Sequence, residues 1–150
     1  MIKRDEIIPA IIGLSIAALL CGVVYAWKYP APIDYFQRAA YPTKVKSGDI
    51  VTISWTEMRS HSCDSIIWKK LIGIDGSIRL FEPVRVEPKP TNTQITEEYQ
   101  FRVPSGFQSG PLIYRVTAEF RCNIVQRLMG GHIFVLPDIV FDYTNTGDES

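Results

Sequence analysis

Two periodicities divide the chain. From Ile7 to Trp27, IIPAIIGLSIAALLCGVVYAW, apolar residues follow one another without a charge. A helix of this length, rising ~1.5 Å per residue, reaches about 30 Å, the thickness of a bilayer hydrocarbon core. Residues 7–27 are therefore predicted to form one transmembrane helix, with Ile7 and Trp27 at its two ends and residues 1–6 as a short charged flank. Tyr25, Trp27 and Tyr29 stand where an interfacial aromatic belt sits. Beyond Trp27 the pattern changes to alternation of period two, the mark of half-buried strands.

Pro30, Pro32 and Pro42 cannot continue a helix, so residues 28–42 read as an extended linker, with Ile33 to Phe36 as a first edge strand. Residues 43–143 then carry the alternation. In Ile50 to Thr56, Val51, Ile53 and Trp55 face inward, and Glu57 to Ser62 reads as a polar loop. Ser65 to Ile74 and Ser77 to Val86 flank Asp75-Gly76, the pair a two-residue hairpin turn favours. Pro83 removes a backbone donor from the return strand and so splits it or places it at a sheet edge. Tyr99, Phe101 and Val103 share one side of Ile95 to Val103. Leu112, Tyr114, Val116, Ala118, Phe120 and Cys122 share one side of Leu112 to Asn123, the strongest strand signal of the chain. Gly130-Gly131 interrupts the pattern before two closing strands, His132 to Leu136 and Ile139 to Tyr143. About seven short strands between turn clusters predict an all-β fold, an immunoglobulin-like β-sandwich. Residues 144–150 are polar and read as a disordered tail.

Charge narrows the function. Lys plus Arg and Asp plus Glu number 16 each, so the basic excess that phosphate-backbone binding uses is missing and no nucleic-acid partner is expected. Arg115, Arg121, Arg127, Lys69 and Lys70 are either a basic surface for lipid headgroups or an acidic partner, or the solvated faces of strands. Within the apolar run, Gly13, Ala17 and Cys21, and Ala18 and Gly22, form small-residue stripes that allow self-association of the helix.

Of three cysteines, Cys21 lies in the apolar run, which leaves Cys63 and Cys122 to pair. A disulfide between them bridges the sandwich and closes a loop of about 60 residues, contributing ~3 to 4 kcal/mol. Such a bond persists outside the cytoplasm. His61 and His132 would complete a Cys2His2 zinc set, but its spacing is not that of a zinc knuckle. A nucleophilic Cys63 with either histidine is formally available, yet the chain has no GxSxG, HExxH or phosphate loop. Asp64 and Asp75, or Glu97 and Glu98, are weak glycosidase pairs, since adjacent glutamates on a strand point to opposite faces. No catalytic residue, metal site or cofactor is therefore expected.

Basic residues do not decide the topology, because Lys3 and Arg4 precede the span while Lys28, Arg38, Lys44 and Lys46 follow it. A short charged start running directly into an apolar segment is what export machinery receives as a signal anchor. The amino terminus is thus expected in the cytoplasm and the domain in the periplasm. Two other fates stay open. Val24-Tyr25-Ala26 offers a cleavage site, although the run exceeds the usual ~7 to 15 residue signal core, and Cys21 would anchor a lipoprotein were it not preceded by Leu20.

Ser47-Gly48-Asp49, Cys63, Asp75-Gly76, Gly110-Pro111 followed by Tyr114-Arg115-Val116, Cys122-Asn123 and Phe141-Asp142 make the region from Val45 to Tyr143 similar to a loose group. It comprises short bacteriophage and proteobacterial proteins with an amino-terminal hydrophobic segment and a two-cysteine β-domain. The resemblance implies a phage or prophage origin and carries no activity. The expected protein is a non-enzymatic, single-pass inner-membrane protein whose domain binds or scaffolds a protein partner. The alternative is a virion component of capsid, tail or viral membrane that uses the hydrophobic terminus for assembly.

Overall fold

The computed structural model describes residues 4–28 and 32–145, with the side chains of residues 4–8, 10 and 35 left outside that description. Residues 1–3 of the flank expected over 1–6, 29–31 of the linker and 146–150 of the tail expected over 144–150 lie outside the described residues, while residues 4–6 of the flank belong to the first helix. Helix α1 runs over Arg4–Trp27. Ten strands follow: β1 Ile33–Tyr41, β2 Lys44–Lys46, β3 Ile50–Arg59, β4 Asp64–Ile72, β5 Ile78–Leu80, β6 Val84–Val86, β7 Gln94–Arg102, β8 Gly110–Arg121, β9 His132–Val135 and β10 Ile139–Thr144. A second helix, α2 Ile124–Met129, lies between β8 and β9.

The strands form two sheets. The smaller has the order β1-β3-β7, and the larger β2-β10-β8-β4-β5, with β6 also on β4 and β9 also on β8. Alternation explains the packing. Val51 and Ile53 of β3 and Phe101 of β7 meet Leu71 of β4, Leu112 and Tyr114 of β8, and Phe141 and Tyr143 of β10 in one buried cluster. Phe101 stacks on Tyr114 across the sheets, ring centroids 5.2 Å apart and planes 10° apart, an offset arrangement favoured by the ring quadrupoles. A second cluster gathers Cys63, Ala118 and Phe120 toward the other end.

Several expectations change here. The linker expected over 28–42 is a nine-residue strand over Ile33–Tyr41, in register with β3 from Ile33 opposite Arg59 to Tyr41 opposite Thr52. Proline at the first residue before a strand and again after its last costs no ladder bond, so prolines at 32 and 42 delimit a strand as readily as they extend a linker. Asp75-Gly76 does sit in the β4–β5 hairpin, but the loop spans residues 73–77, with Ile72 facing Ile78. Gly76 alone of the pair has positive φ, and Asp75 accepts bonds from the backbone N–H and hydroxyl of Ser77. Both predicted effects of Pro83 coincide: β5 and β6 are two pieces of one return strand, both paired to β4 at the sheet edge. Thr144, expected in the tail, is the last residue of β10, opposite Lys46 of β2.

Cys63 and Cys122 are joined as a disulfide, with Cα atoms 4.4 Å apart. The bond does not bridge the two sheets. Asp64 pairs with Arg121 in the β4–β8 ladder, so the cysteines occupy the next position of the same register and clamp adjacent strands of one sheet. Replacing both by serine removes a constraint on a 59-residue separation, which the chain-entropy model values at about 4 kcal/mol. The expected outcome in denaturant melts of the Cys63→Ser/Cys122→Ser chain is an unfolding free energy lowered by about that amount, with a steeper slope because the unfolded chain expands.

A charged cavity between the sheets as candidate functional site

The inward face of β3 is aliphatic at one end and charged at the other. Val51, Ile53, Trp55, Glu57 and Arg59 occupy the same side of the strand, and Glu57 and Arg59 are both buried. They are two strand positions inside what the sequence suggested was a loop. Opposite them, β4 turns Ser65, Lys69 and Leu71 inward. Between these faces lies a cavity of about 50 Å³, walled by Trp55, Ile67, Val116, Phe120 and Leu136 among others. That is room for a few water-sized groups.

Its charges are unequally compensated. Glu57 Oε1 accepts from Arg59 Nε at 3.1 Å and Nη2 at 3.0 Å, and from Lys89 Nζ at 2.8 Å. Lys89 also reaches Glu97 at 2.7 Å, which gives one of the two neighbouring glutamates a structural role while Glu98 faces solvent. Arg59, 2% exposed, lies over the Phe120 ring at 5.3 Å, and its Nη1 makes no hydrogen bond among the described residues. The hydroxyls of Ser65 and Tyr114 are likewise buried without a partner. Burial pushes the Tyr114 phenol well above its ordinary value.

Lys69 stands apart. It is 5% exposed, its ammonium sits 3.3 Å from the centre of the Tyr99 ring, and among the described residues no carboxylate pairs with it. Burial pushes its pKa below the ordinary lysine value, and the ring face offsets only part of the cost of desolvation. The cavity therefore presents the Lys69 ammonium, the guanidinium groups of Arg38 and Arg59, the Glu57 carboxylate and the Tyr114 phenol among apolar side chains.

The basic residues grouped from the sequence do not form one surface: Lys70 stands opposite Arg115 in the β4–β8 ladder, and Arg121 and Arg127 line a common pocket with Arg85. Lys69 is interior, while Arg115 makes a double bond pattern to Asp138 at 2.8 and 2.6 Å. Arg121 pairs with Glu119 at 2.7 Å and Arg127 with Asp64 at 3.0 Å. Arg38 donates to the Asp138 carbonyl, under the same corner of the cavity. His61 lies beside Ser60, and His132 is a strand residue opposite Phe120. With both sulfurs bonded to each other the Cys2His2 set does not form, and no group of three or more metal-ligating side chains occurs among the described residues. Period-two alternation extended past Thr56 would have found Glu57 and Arg59, and alternation through Ser65, Ile67 and Leu71 would have found Lys69.

Of the anchor, Ile7 lies in α1 with its side chain outside the described residues, and Trp27 is the exposed last residue of the helix. Among the described residues no helix is long and apolar enough to cross a membrane. The carboxyl end of α1 is held by the domain: Asn123 Nδ2 donates to the Ala26 carbonyl at 2.9 Å and Gln126 Nε2 to that of Trp27 at 3.5 Å. Asn123 also caps α2, accepting from the Gln126 N–H.

No family model matches the chain, and no curated protein matches it. Solved structures similar in shape include an alkylpurine DNA glycosylase, AlkC, of Pseudomonas fluorescens bound to abasic-site DNA (9% identity, TM-score 0.46, 72% of this chain and 30% of that one). The sporulation control protein Spo0M of Bacillus subtilis is another (10%, 0.43, 76% and 50%). A Niemann-Pick type C2 protein of the Japanese carpenter ant is a third (10%, 0.47, 79% and 96%). The chain thus spans half or less of the first two. Likenesses of this strength assign neither a family nor an activity.

Two substitutions separate the compensated from the uncompensated charge. Glu57→Ala strands buried Arg59 and is expected to cost about 3 kcal/mol. Lys69→Met removes a buried charge that lacks a counterion and is expected to raise stability by about 1 kcal/mol at neutral pH. Because the folded value of Lys69 lies below the ordinary 10.5, the unfolded chain holds the extra proton between the two values. Stability therefore rises with pH across that alkaline window. Denaturant melts from neutral to alkaline pH should show this rise in the parent chain and lose it in Lys69→Met.

Proposed function

We propose that the protein is a non-enzymatic, single-pass inner-membrane protein, phage-encoded in origin, whose immunoglobulin-like domain faces the periplasm and binds or scaffolds a protein partner. One observation carries the reading. The described side chains of α1 are apolar on every side of the helix and almost all exposed, Leu14 at 77%, so the sandwich covers only the last turn. A helix apolar all round needs apolar surroundings. Over its 24 residues it reaches about 36 Å, and its sequence from Ile7 to Trp27 holds no charge. The disulfide favours an oxidising compartment, hence the periplasm.

The immunoglobulin-like reading is supported by strand order. β1, β3 and β7 take the places of strands A, B and E, and β4, β8 and β9–β10 those of C, F and G. Antibody domains join B to F between sheets, whereas this bond joins the C and F positions within one sheet. The small-residue stripe stands on open surface, with nothing within 4 Å of a Cβ at Gly13 or Gly22, which leaves self-association through α1 part of the proposal.

The reading is tested in cells. The full chain should remain in membranes after carbonate extraction and keep residues 1–27 by mass. Cys63 and Cys122 should resist maleimide until reductant is added. Recovery in the soluble fraction, or labelling of both without reductant and only after lysis, overturns it. The exposed helix could equally be covered by protein in a particle, and detection of the chain in purified virions by mass spectrometry would favour the virion component.

A further inference from the structure

We infer that α2 is a membrane-contacting element: its outward residues Ile124, Leu128 and Met129 enter the headgroup layer of the bilayer that α1 crosses. The inference rests on the membrane reading of α1 and adds to it where the domain sits.

The argument starts from the two hydrogen bonds that Asn123 and Gln126 give to the Ala26 and Trp27 carbonyls. The last carbonyls of a helix have no partner within it, and here they are satisfied by the first turn of α2. The two helices are therefore joined at the point where α1 leaves its apolar run, beside exposed Tyr25 and Trp27. These are the residues of an interfacial belt. Gln126 is wholly buried and fixes which side of α2 faces inward. The opposite side is left with Ile124 and Leu128, one turn apart; Leu128 is 80% exposed, and Met129 is exposed at the end of the helix. Lys28 and Arg127 flank the junction and both are exposed, Arg127 also pairing with Asp64 at 3.0 Å. An apolar face rimmed by basic groups is the make-up of helices that lie in the headgroup region at a depth of about 5–10 Å. Continuity selects the occupant, since the surface lies within one turn of the end of a helix that needs lipid.

Exposure alone does not identify the surface. Leu80 is 78% exposed but lies on β5, opposite Lys70, toward the end of β4 away from the disulfide. It serves as the control.

The test uses the full chain in phosphatidylcholine vesicles containing phosphatidylglycerol, with Cys21→Ser and the disulfide intact. An environment-sensitive fluorophore is attached at Leu14→Cys, Leu128→Cys or Leu80→Cys, and quenching is compared between headgroup-labelled lipid, deep acyl-labelled lipid and aqueous iodide. All three sites are exposed, so folding is not at issue, and native disulfide content checks it. The expected result is deep-lipid quenching at 14, headgroup quenching at 128 several-fold above that at 80, and iodide quenching at 80. Quenching by deep lipid at 14 with iodide quenching at both 128 and 80 overturns the inference and leaves the anchor standing. Iodide quenching at all three sites overturns both.

Discussion

The β4–β8 ladder is the constraint on which the molecule depends. Nine pairs run from Asp64 opposite Arg121 to Ile72 opposite Ile113, and Cys63–Cys122 continues the register by one position. Every other strand of the larger sheet attaches to this pair, directly or through β10. The disulfide also fixes where the chain turns out of β8. Asn123 follows immediately, and with it the cap of α2 and the bonds to α1. Gly131 completes the turn into β9 because a Cβ there would lie 2.4 Å from the Phe120 carbonyl, while its N–H donates to Glu119.

Strand alternation made most of this legible. The inward residues of β3, β7 and β8 were read correctly from Val51 to Trp55, at Tyr99 and Phe101, and from Leu112 to Phe120, because apolar and polar neighbours there differ sharply. What was missed follows from weaker contrasts. β1 reads IDYFQRAAY, with prolines near both ends, and a register shift between Ile33 and Tyr35 breaks its period of two. α2 is six residues long, too short for helical periodicity, and its Asn123 cap follows a strand without a break. Polarity at Glu57 and Arg59 resembled a loop because burial of a charge depends on partners such as Lys89, which are distant in sequence.

Lys69 sets the cavity apart from ordinary core. Around it the sandwich follows the rule that buried charges are paired: Glu57 takes three donors, and Asp138 takes two from Arg115. Among the described residues no carboxylate pairs with Lys69, whose ammonium lies over the face of Tyr99. Natural proteins depart from local consistency where function asks for it, and a buried ammonium that no carboxylate among the described residues pairs with is such a departure.

The hold of Asn123 and Gln126 on the end of α1 has a mechanical consequence. With its last two carbonyls bound to side chains of the domain, the helix cannot swivel on its own. Its azimuth about its long axis is that of the sandwich. A neighbour that packed on the stripe of Gly13, Ala17 and Cys21 would thereby set which side of the β-domain is turned toward it.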